Sequence, residues 1–423
     1  MPGLPPTLPA LLAKAATGDR LALVGGAVRD LLLHRVHNDP WRGVPDLDLV
    51  VEAAAPGPWP LAEPASAPAH RLARRLQQAL GAGGVSFYQE HGAYGTVELE
   101  LVLEQGPLLL DVASARRERY PEAGENPVVS FGGLEDDLAR RDFSINAMAL
   151  LLSGPDPGLL DPHGGQADLE TRQLRLLHAA SLRDDPTRIV RGARYAARLG
   201  FDLAAESQEQ LRATLAAWPW SWRPGDPPQR APSALGTRLR MELELLLERE
   251  AWPLALTALQ RWGALPLLDA ALQHDRSWSR RLRWAGRLGL PLLPALLMAV
   301  AEPLAVAERL QLPHRQHRLL AQGLELRRRL ATAAAEPGFD LGWSPSRWSA
   351  LLEAPGLSVE AVALALASGF GPRRPLLRWW LRWRQLGAGC SAAELMAAGM
   401  APGPALGQRL RQLRAERLDR ERR

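Results

Sequence analysis

Two aspartates separated by one residue are the strongest chemical signal in the sequence. Asp46 and Asp48 open residues 46–52, an apolar run that is predicted to form a β-strand. Because residues i and i+2 of a strand point to the same face, their carboxylates are expected to lie side by side. Like charges so placed are poorly tolerated without a cation between them. The pair therefore predicts a Mg²⁺ site suited to two-metal nucleotidyl transfer.

A pair of glycines just before these aspartates could bind the phosphates of a nucleotide. Residues 21–30 are predicted to form a strand, a turn at Gly25 and Gly26, and the start of a helix. Backbone N–H groups at a helix N-terminus attract anions, so the turn could hold a triphosphate beside the metal. Either motif alone is often only structural. Their order and proximity favour the functional interpretation.

A third carboxylate is brought near the pair by the predicted sheet. Residues 95–113 alternate apolar and polar positions on either side of a turn at 104–107, which indicates two antiparallel strands. Asp111 then lies on a strand that could neighbour the strand of the aspartate pair. Residues 114–131 are polar and contain Pro and Gly, so they are predicted to form a mobile loop.

A second group of polar residues follows where helical patterns begin. Arg141 could clamp a triphosphate oxygen. Asp142 and Asn146 are one helical turn apart and could bond the hydroxyls of a sugar. The alternative is that Asp142 or Ser144 only caps a helix.

Residues 184–194 could read the identity of a base. Pro186 suits the first turn of a helix, and the arginines that follow recur at every third position, at Arg188, Arg191 and Arg194. A stripe of this kind is usually a solvated face, but apolar residues here form a separate face and leave the arginines for a ligand. Asp185 accepts hydrogen bonds and Arg188 donates them, which matches the pairing edges of cytosine and adenine and rejects those of uracil and guanine.

Composition limits the class of protein. The 423 residues are enough for two to four domains, and 47% hydrophobic with 23% charged residues is typical of a globular protein. Apart from Lys14 all basic residues counted in the net charge of +5 are arginine, which favours a polyanionic partner, although a GC-rich genome would produce the same bias. The single Cys390 excludes an internal disulfide and a cysteine-based zinc site. Neither a signal peptide nor a membrane span is evident, so we expect a cytoplasmic protein without a membrane partner.

The rest of the chain is predicted to be mostly helical. Residues 53–69 are expected to form a surface loop and residues 70–80 an amphipathic helix. A Trp- and Pro-rich segment at 218–232 indicates a linker or inserted loop, since Pro and Gly at that density break helices. Its tryptophans could stack on RNA bases, but packing against a helix face is the more frequent arrangement. A phosphohydrolase site at His274 and Asp275 is disfavoured because the neighbouring ligands are missing.

Together these motifs resemble the class II tRNA nucleotidyltransferase and poly(A) polymerase family, within the polymerase β-like nucleotidyltransferases. The resemblance covers at least residues 21–201 and rests on GGAVRD, the DLD pair, GTVELE, DVASAR, EDDLARRDFSINAMAL, LLDPHGGQADL and DDPTRIVRGARYAARLGF. Residues 233–243 are similar to the neck helix of the family, and 394–407 are similar to its C-terminal tRNA-side motif. The Trp- and Pro-rich segment has no counterpart in the resemblance.

The resemblance implies an α+β fold with a polymerase β-like head followed by an all-α neck, body and tail. The head, a small mixed sheet with helices, is expected at residues 1–151, and a nucleotide-selecting neck at 152–250. The body and tail at 251–423 would bind tRNA. Residues 159–168 would be a hinge, and the loop at 114–131 would help the enzyme to switch from C to A.

The resemblance also implies roles for single residues. Asp46 and Asp48 would bind the catalytic Mg²⁺ ions, and Asp111 would polarise the primer 3′-hydroxyl. The remaining nucleotide contacts would come from Gly25, Gly26 and Arg29 at the triphosphate, from Arg141, Asp142 and Asn146 at the phosphate and ribose, and from Asp185 and Arg188 at the base, with Arg191 and Arg194 in support.

The reaction implied is the addition of C, C and A to the 3′ end of tRNA from CTP and ATP, without a nucleic-acid template. The loop between Asp30 and Asp46 is longer than usual, and Asp184 stands where a glutamate is common. Neither departure touches the metal pair. The alternatives on the same fold are a poly(A) polymerase and a split-function enzyme that adds only CC or only A. An inactive RNA-binding module is the alternative from another class.

Overall fold

The computed structural model describes residue 2 and residues 4–43, 46–54, 67–81, 83–91, 95–104, 106–154, 158–339 and 342–421. The chain divides into two compact units. The first consists of Met1–Pro224, Pro232–Glu242 and Glu248–Ala264, and the second of Gly225–Ala231, Leu243–Leu247 and Leu265–Arg423. Within the described ranges, no helix combines the length and the apolar character needed to cross a membrane.

The described residues contain both strands and helices. The strands are β1 (Arg20–Val24), β2 (Asp46–Glu52), β3 (Val85–His91), β4 (Thr96–Leu103), β5 (Gly106–Ser114), β6 (Arg116–Arg119), β7 (Val128–Phe131), β8 (Ala149–Leu151), β9 (Leu159–Leu160), β10 (Gln173–Leu174) and β11 (Asp202–Leu203). The α-helices are α1 (Leu8–Ala16), α2 (Gly26–Val36), α3 (Pro68–Leu80), α4 (Leu134–Ala139), α5 (Gly165–Glu170), α6 (Ser181–Asp184), α7 (Thr187–Leu199), α8 (Ala205–Ala217), α9 (Thr237–Arg249), α10 (Trp252–Trp262), α11 (Ala270–Gln273), α12 (Trp278–Arg287), α13 (Leu292–Leu297), α14 (Pro303–Arg309), α15 (His314–Ala333), α16 (Pro345–Leu352), α17 (Val359–Ser368), α18 (Arg373–Leu381), α19 (Ala392–Ala397) and α20 (Pro404–Arg420).

A mixed sheet of seven strands forms the centre of the first unit, in the order β3-β4-β5-β2-β1-β8-β9. Its pairs are antiparallel except for β2 and β5, which run parallel with Asp48 directly opposite Asp111. The predicted neighbourhood of the two strands is therefore confirmed, as is the small mixed sheet with helices. Parallel pairing matters for the site because it carries the aspartates of both strands to the same edge.

Apolar patterning explains how the sheet is buried. In β4 the residues Val97, Leu99 and Leu101 are fully buried, and the polar residues between them point away, as the alternation predicts. Helix α3 packs on β2, β4 and β5 and buries Leu72 and Leu76, which lie four residues apart on one face. These two periodicities therefore fix which side of the strands faces the core.

The second unit is helical in the part that the structure describes, as the Leu- and Ala-rich pattern predicts. A tryptophan-rich core lies among α15 to α18 and α20, in which Trp348 and Trp379 are at most 2% exposed. The Nε1 of Trp379 donates to Glu353 Oε1 over 2.8 Å, so the large ring is buried without losing its polar contact.

The prediction of a mobile loop at 114–131 is corrected by the structure, which forms a hairpin there. Strand β6 pairs antiparallel with β7 from Arg116 opposite Phe131 to Arg119 opposite Val128. The polar residues that suggested mobility bind one another: Glu118 accepts from Arg116 over 2.8 Å and from Arg140 over 3.3 Å. Charge composition alone does not distinguish a solvated loop from a strand whose charges are paired.

The Trp- and Pro-rich segment packs against the protein, which confirms the more frequent of its two interpretations. Trp220 is 3% exposed and its Nε1 donates to the carbonyl oxygen of Arg183 over 3.1 Å. Its ring lies so close to Gly124 that a Cβ there would come within 2.8 Å of Trp220 Cδ1. The indole is thus used to hold the β6–β7 connection and is not available to a base.

Other expectations differ from the structure at the edges of elements. Residues 55–66 of the expected surface loop at 53–69 lie outside the described residues, and α3 already begins at Pro68. The short strand β9 pairs with β8, so the head sheet extends beyond residue 151. The division at 151 and 250 stays a prediction. Asp275, expected at the surface, binds the buried Arg281 over 2.5 Å.

Candidate active site

A cavity of about 830 Å³ lies in the first unit at the sheet edge that carries the aspartates. It collects residues from distant parts of the sequence: the glycine turn, β2, β5, the hairpin, the segment before α5, and the starts of α7 and α9. All of the site residues predicted from the sequence line it except Arg194. The cavity is therefore the candidate active site.

Three carboxylates form a cluster at one side of the cavity. One oxygen of each of Asp46, Asp48 and Asp111 lies within 4.8 Å of the others. Burial raises the pKa of Asp48, and the charge of Asp46 adds to the effect against the opposing charge of Arg141. Burial together with the charge of Asp48 raises the pKa of Asp111 to about 6. Carboxylate oxygens are the ligands of hard divalent cations, so the cluster fits a divalent metal.

The glycine turn approaches this cluster closely. Gly25 has a φ of 71°, and a Cβ at this position would lie 3.0 Å from Asp48 Oδ2 and 3.3 Å from Arg141 Nη1. Any larger residue would therefore be strained and would push against the carboxylate. Gly26 begins the 11-residue helix α2, whose first N–H groups have no side-chain cap. The structure thus forms the predicted turn and helix start, at which an anion could bind.

Arg29 lines the cavity, but its side chain is hydrogen-bonded to other residues of the protein. It is 3% exposed, its Nη1 donates to Asn146 Oδ1 over 2.8 Å, and its Nε donates to Asp30 over 2.9 Å. The guanidinium carbon also lies 5.6 Å from the centre of the Tyr195 ring. These contacts fix the amide of Asn146, one of the residues expected at the ribose.

Asp137, which was not predicted from the sequence, holds two arginines that line the cavity. It is fully buried and binds Arg140 over 2.7 Å and Arg141 over 3.0 Å. Although burial alone would raise its pKa, the charges of the two arginines hold the pKa of Asp137 below the ordinary value. The spacing of three and four residues between acid and arginines is the sequence signal that could have revealed it.

Asp142 and Asn146 come together through a short 3₁₀ turn at Ser144–Asn146. Asp142 Oδ1 accepts from the N–H of Phe143 over 2.9 Å and from Asn146 Nδ2 over 3.2 Å, and its Oδ2 accepts from Arg191 Nε over 2.7 Å. Burial would raise the pKa of this carboxyl, but the charge and hydrogen bond of Arg191 lower it to about 2. Asp142 and Asn146 therefore bind each other inside a larger ionic network, and their role at a sugar stays a prediction.

Asp185 and Arg188 both face the cavity and both are buried, but their hydrogen bonds run to other residues. Asp185 Oδ1 accepts from the N–H and the hydroxyl of Thr187 over 3.0 and 2.6 Å, and its Oδ2 accepts from Arg238. Arg188 Nη2 donates to the carbonyl oxygen of Arg140 over 2.9 Å. The Asp185 carboxylate and the Arg188 guanidinium are thus held by different partners at the start of α7.

Arg194 is the predicted site residue that the structure does not place on the cavity. Its Nη1 binds Glu242 over 2.5 Å, whereas Arg191 reaches the same carboxylate over 3.2 Å and also lines the cavity. Three residues advance an α-helix by about 300°, so each arginine of the stripe is turned about 60° from the last. The stripe therefore starts at the cavity with Arg188 and has turned away from it by Arg194.

The hairpin contributes two further residues that the sequence reasoning missed. Glu118 and Tyr120 line the cavity, and the Tyr120 hydroxyl donates to Glu118 over 3.0 Å. Burial, with the nearby charge of Glu118, raises the pKa of Tyr120. Glu118 binds Arg140, whose carbonyl oxygen accepts from Arg188, so the hairpin is connected to the residues expected to face the base.

A mixed sheet that presents three clustered carboxylates beside a glycine turn and an arginine-lined cavity defines a nucleotidyltransferase of the polymerase β-like class. Comparison with known proteins agrees with this class. Residues 21–175 match the family model of the poly(A) polymerase head domain. The chain is 36% identical to a CC-adding tRNA nucleotidyltransferase of Deinococcus radiodurans over 326 residues, which are 74% of this chain and 73% of that protein.

Two further comparisons extend over most of the chain. A CCA-adding enzyme of Marinobacter nauticus is 32% identical over 67% of this chain and 66% of its own length. The solved apo structure of a CCA-adding enzyme superposes with a TM-score of 0.70 and 23% identity, covering 98% of this chain and 93% of that one, and so agrees in fold. The chain belongs to the tRNA nucleotidyltransferase family, with a poly(A) polymerase head domain.

Proposed function

We propose that this protein adds C, C and A to the 3′ end of tRNA, using CTP and ATP, without a nucleic-acid template. The observation that carries the proposal is the shared cavity. A carboxylate cluster for metal-assisted transfer and an acid–arginine pair for base selection line the same 830 Å³ space. The family relationship supports the same reaction, since one relative is a CCA-adding enzyme.

The divalent metal is proposed to be Mg²⁺, held by Asp46 and Asp48. Bound Mg²⁺ would neutralise charge on the triphosphate and make the attacking hydroxyl more acidic. Asp111 lies opposite Asp48 in the parallel register and would polarise the primer 3′-hydroxyl. Burial and the charge of Asp48 raise the pKa of Asp111 in the metal-free protein, so a bound cation would favour its ionised, hydrogen-bond-accepting form.

The triphosphate is proposed to lie against the glycine turn. The free N–H groups at the start of α2 would bind phosphate oxygens, and Arg141 would add a charged donor from the other side of Gly25. Arg29 would act mainly by holding Asn146, and Asn146 with Asp142 would position the ribose. Arg191 would support the nucleotide by fixing Asp142.

Base selection is proposed to depend on Asp185 as acceptor and Arg188 as donor. Cytosine and adenine present an amino group beside a ring nitrogen, and the pair would bind both. Uracil and guanine present the reverse pattern and would leave buried polar groups unpaired. The helical part of the chain at 251–423 would bind tRNA through phosphate contacts, which salt weakens.

A CC-only enzyme is the second candidate, because the relative that is 36% identical over most of both chains is a CC-adding tRNA nucleotidyltransferase. The same metal site and base selector would serve both activities. The difference would lie in whether the third position accepts ATP after two cytidines have been added. The proposed switching role of residues 114–131 bears on this point, since they form a hairpin tied to Arg140.

The test is nucleotide incorporation by the purified protein. Transcripts of tRNA ending at the discriminator base and at C-C are offered CTP and ATP, separately and together, with Mg²⁺. We expect two cytidines from CTP alone, one adenosine on the C-C substrate from ATP alone, and C-C-A from the mixture. An Asp48→Ala variant serves as the matched inactive control.

Each other product pattern identifies a different enzyme. A stop after two cytidines with both nucleotides present would replace the proposal by the CC-only activity, and addition of A only to C-C by the A-only activity. A long adenosine tail would indicate polyadenylation. No incorporation by the wild-type protein, with tRNA binding retained, would favour an RNA-binding module.

A further inference from the structure

An arginine from α9 touches the proposed base selector. Arg238 Nη2 donates to Asp185 Oδ2, and both side chains line the cavity. Arg238 is 53 residues away from Asp185 in the sequence and lies in the first turn of α9. The contact joins the helix start that carries the selector to a second helix.

The hydrogen bonds of Asp185 leave it with little free capacity. A carboxylate offers about four lone-pair positions on its two oxygens. Oδ1 is used twice by Thr187, through its N–H and its hydroxyl, and Oδ2 is used once by Arg238. About one position therefore remains, on Oδ2, which is the oxygen that Arg238 holds. That is the capacity needed for a single N–H of an exocyclic amino group.

The second terminal nitrogen of Arg238 indicates that its bonding is incomplete. Nη1 is buried, and within the described ranges it has no hydrogen-bond partner. A buried donor without a partner is destabilising, so a ligand that supplies an acceptor there is bound favourably. Since Arg238 lines the cavity, a bound nucleotide is a source of the missing acceptor.

We propose that Arg238 is a positioning residue for base selection, which orients Asp185 so that one acceptor position on Oδ2 faces the amino group of the incoming cytosine or adenine. This inference rests on the proposed function. Without Arg238 the carboxylate keeps its Thr187 contacts at Oδ1 but gains a second free position on Oδ2 and freedom to rotate. Rejection of uracil, which depends on a fixed and mismatched acceptor, then weakens more than acceptance of cytosine.

A purely structural ion pair would behave differently. It would connect α9 to the start of α7, and its removal would lower the stability of the fold and the rate with every nucleotide alike. The ratio of CTP to UTP use separates the two cases because loss of folded protein cancels in it. Binding of CTP and UTP without tRNA gives the same ratio independently of the transfer step.

The experiment compares wild type, Arg238→Gln, Arg238→Lys and Arg249→Gln. Arg249 is exposed at the end of the same helix, so its change removes one positive charge from α9 away from Asp185. For each protein, kcat/KM is measured with CTP and with UTP on tRNA ending at the discriminator base, and melting temperature is recorded. Dissociation constants for CTP and UTP are measured with Mg²⁺ and without tRNA.

We expect Arg238→Gln to reduce the CTP-to-UTP ratio of kcat/KM by at least about tenfold, the effect of losing one hydrogen bond to a charged group. The reduction should come mainly from a lower KM for UTP, while kcat with CTP changes little. Arg238→Lys should restore part of the ratio because it keeps one charged donor, and Arg249→Gln should leave the ratio unchanged.

An unchanged ratio in Arg238→Gln, in a protein that still melts cooperatively, would overturn the inference. So would an equal loss with CTP and UTP that Arg238→Lys does not relieve. If Arg238→Gln does not fold, the Arg238→Lys ratio decides: a value equal to wild type overturns the proposal and a reduced one supports it. Failure of the proposed function is distinguishable, because it would be seen in the nucleotides that wild type itself adds to tRNA, independently of the Arg238 variants.

Discussion

Two groups of acids lie at or directly behind the cavity wall, and their pKa values are shifted in opposite directions. On the strands, burial and mutual repulsion raise the pKa of Asp48 and Asp111. On the helical side, Asp137 and Asp142 are more deeply buried, yet arginines lower their pKa. Within the described ranges no ion pair joins an arginine to Asp46, Asp48 or Asp111, whereas Asp137 binds two arginines.

This difference in pKa shift distinguishes acids that stabilise the fold, the scaffold acids, from acids that are proposed to act in catalysis. The acids on the helical side form ion pairs with arginines, so their charge is neutralised within the protein. The strand acids keep a local excess of negative charge, to which a divalent metal ion could bind. The comparison predicts opposite responses to the same chemical change at the two groups.

Loss of a strand acid is expected to have the largest effect on activity. Asp46→Ala or Asp48→Ala should reduce nucleotide incorporation by roughly a thousandfold or more, because metal-assisted charge stabilisation is worth several kcal/mol. The melting temperature should stay close to wild type or rise in the absence of metal. Retained incorporation in either variant would remove the metal assignment.

Loss of a scaffold acid is expected to act on stability. Asp142→Asn should lower the free energy of unfolding by about 2–4 kcal/mol at pH 7, because it removes the carboxylate that accepts from Arg191 Nε and leaves Glu242 as the remaining acidic partner of that arginine. The pKa of the Asp142 carboxyl is about 2 in the folded protein, against an ordinary value of 3.8. The wild-type carboxylate therefore stabilises the fold fully above about pH 4 and loses this effect as the pH falls through 2.

Urea titrations of both proteins between pH 7 and pH 2.5 measure this difference. The gap between wild type and Asp142→Asn should be constant at neutral pH and close towards the acid end. A gap that is absent at pH 7 would show that the arginine network does not depend on Asp142.

The selector at the start of α7 provides the next prediction. Arg188→Ala should relax the preference for CTP over UTP by about tenfold, since one charged donor to the base is lost. Metal binding should change little, because Arg188 belongs to the arginine side of the cavity. Competition assays with both nucleotides measure the preference. An unaltered preference in an active variant would contradict the assignment of Arg188.

The smallest expected effect is a gain of stability at Asp111. Its pKa of about 6 exceeds the ordinary 3.8, so without metal its ionised form destabilises the fold above pH 6, and this penalty disappears as the pH falls towards 4. Asp111→Asn should therefore raise the free energy of unfolding at pH 8 by about 1 kcal/mol, since partial exposure to water limits the effect. Unfolding measured in EDTA at pH 8 and pH 4.5 tests the sign.

Local sequence patterns predicted the strands of the aspartate cluster well, because each pattern depends on few residues. The glycine turn, the aspartate pair and the alternation of β4 follow from periodicity, and the placement of Asp111 follows from strands that the sequence itself delimits. The register that sets Asp48 opposite Asp111 comes from pairing between strands that are far apart in the sequence, which no local pattern specifies. The sheet also contains β8 and β9, which have too few residues for a visible pattern.

The arginine side was less predictable because its contacts join residues far apart in the sequence. Asp142 and Arg191 are 49 residues apart, and Asp185 and Arg238 are 53 apart, so no spacing rule connects them. The arginine stripe of α7 looked uniform in sequence, but helix geometry turns Arg194 towards Glu242 and away from the cavity. Paired charges also made the β6–β7 hairpin resemble a mobile loop.

The most direct measurement follows the melting temperature of metal-free protein as MgCl₂ is added, for wild type, Asp48→Asn and Asp142→Asn. A ligand that binds only the folded state stabilises it by RT ln(1 + L/Kd), where L is the free ligand concentration, so the gain increases with the concentration of free metal. Wild type and Asp142→Asn should gain stability by similar amounts from different starting points, and Asp48→Asn should gain little. An equal gain in Asp48→Asn, or no gain in wild type, would contradict a metal-dependent catalytic centre at the strand acids.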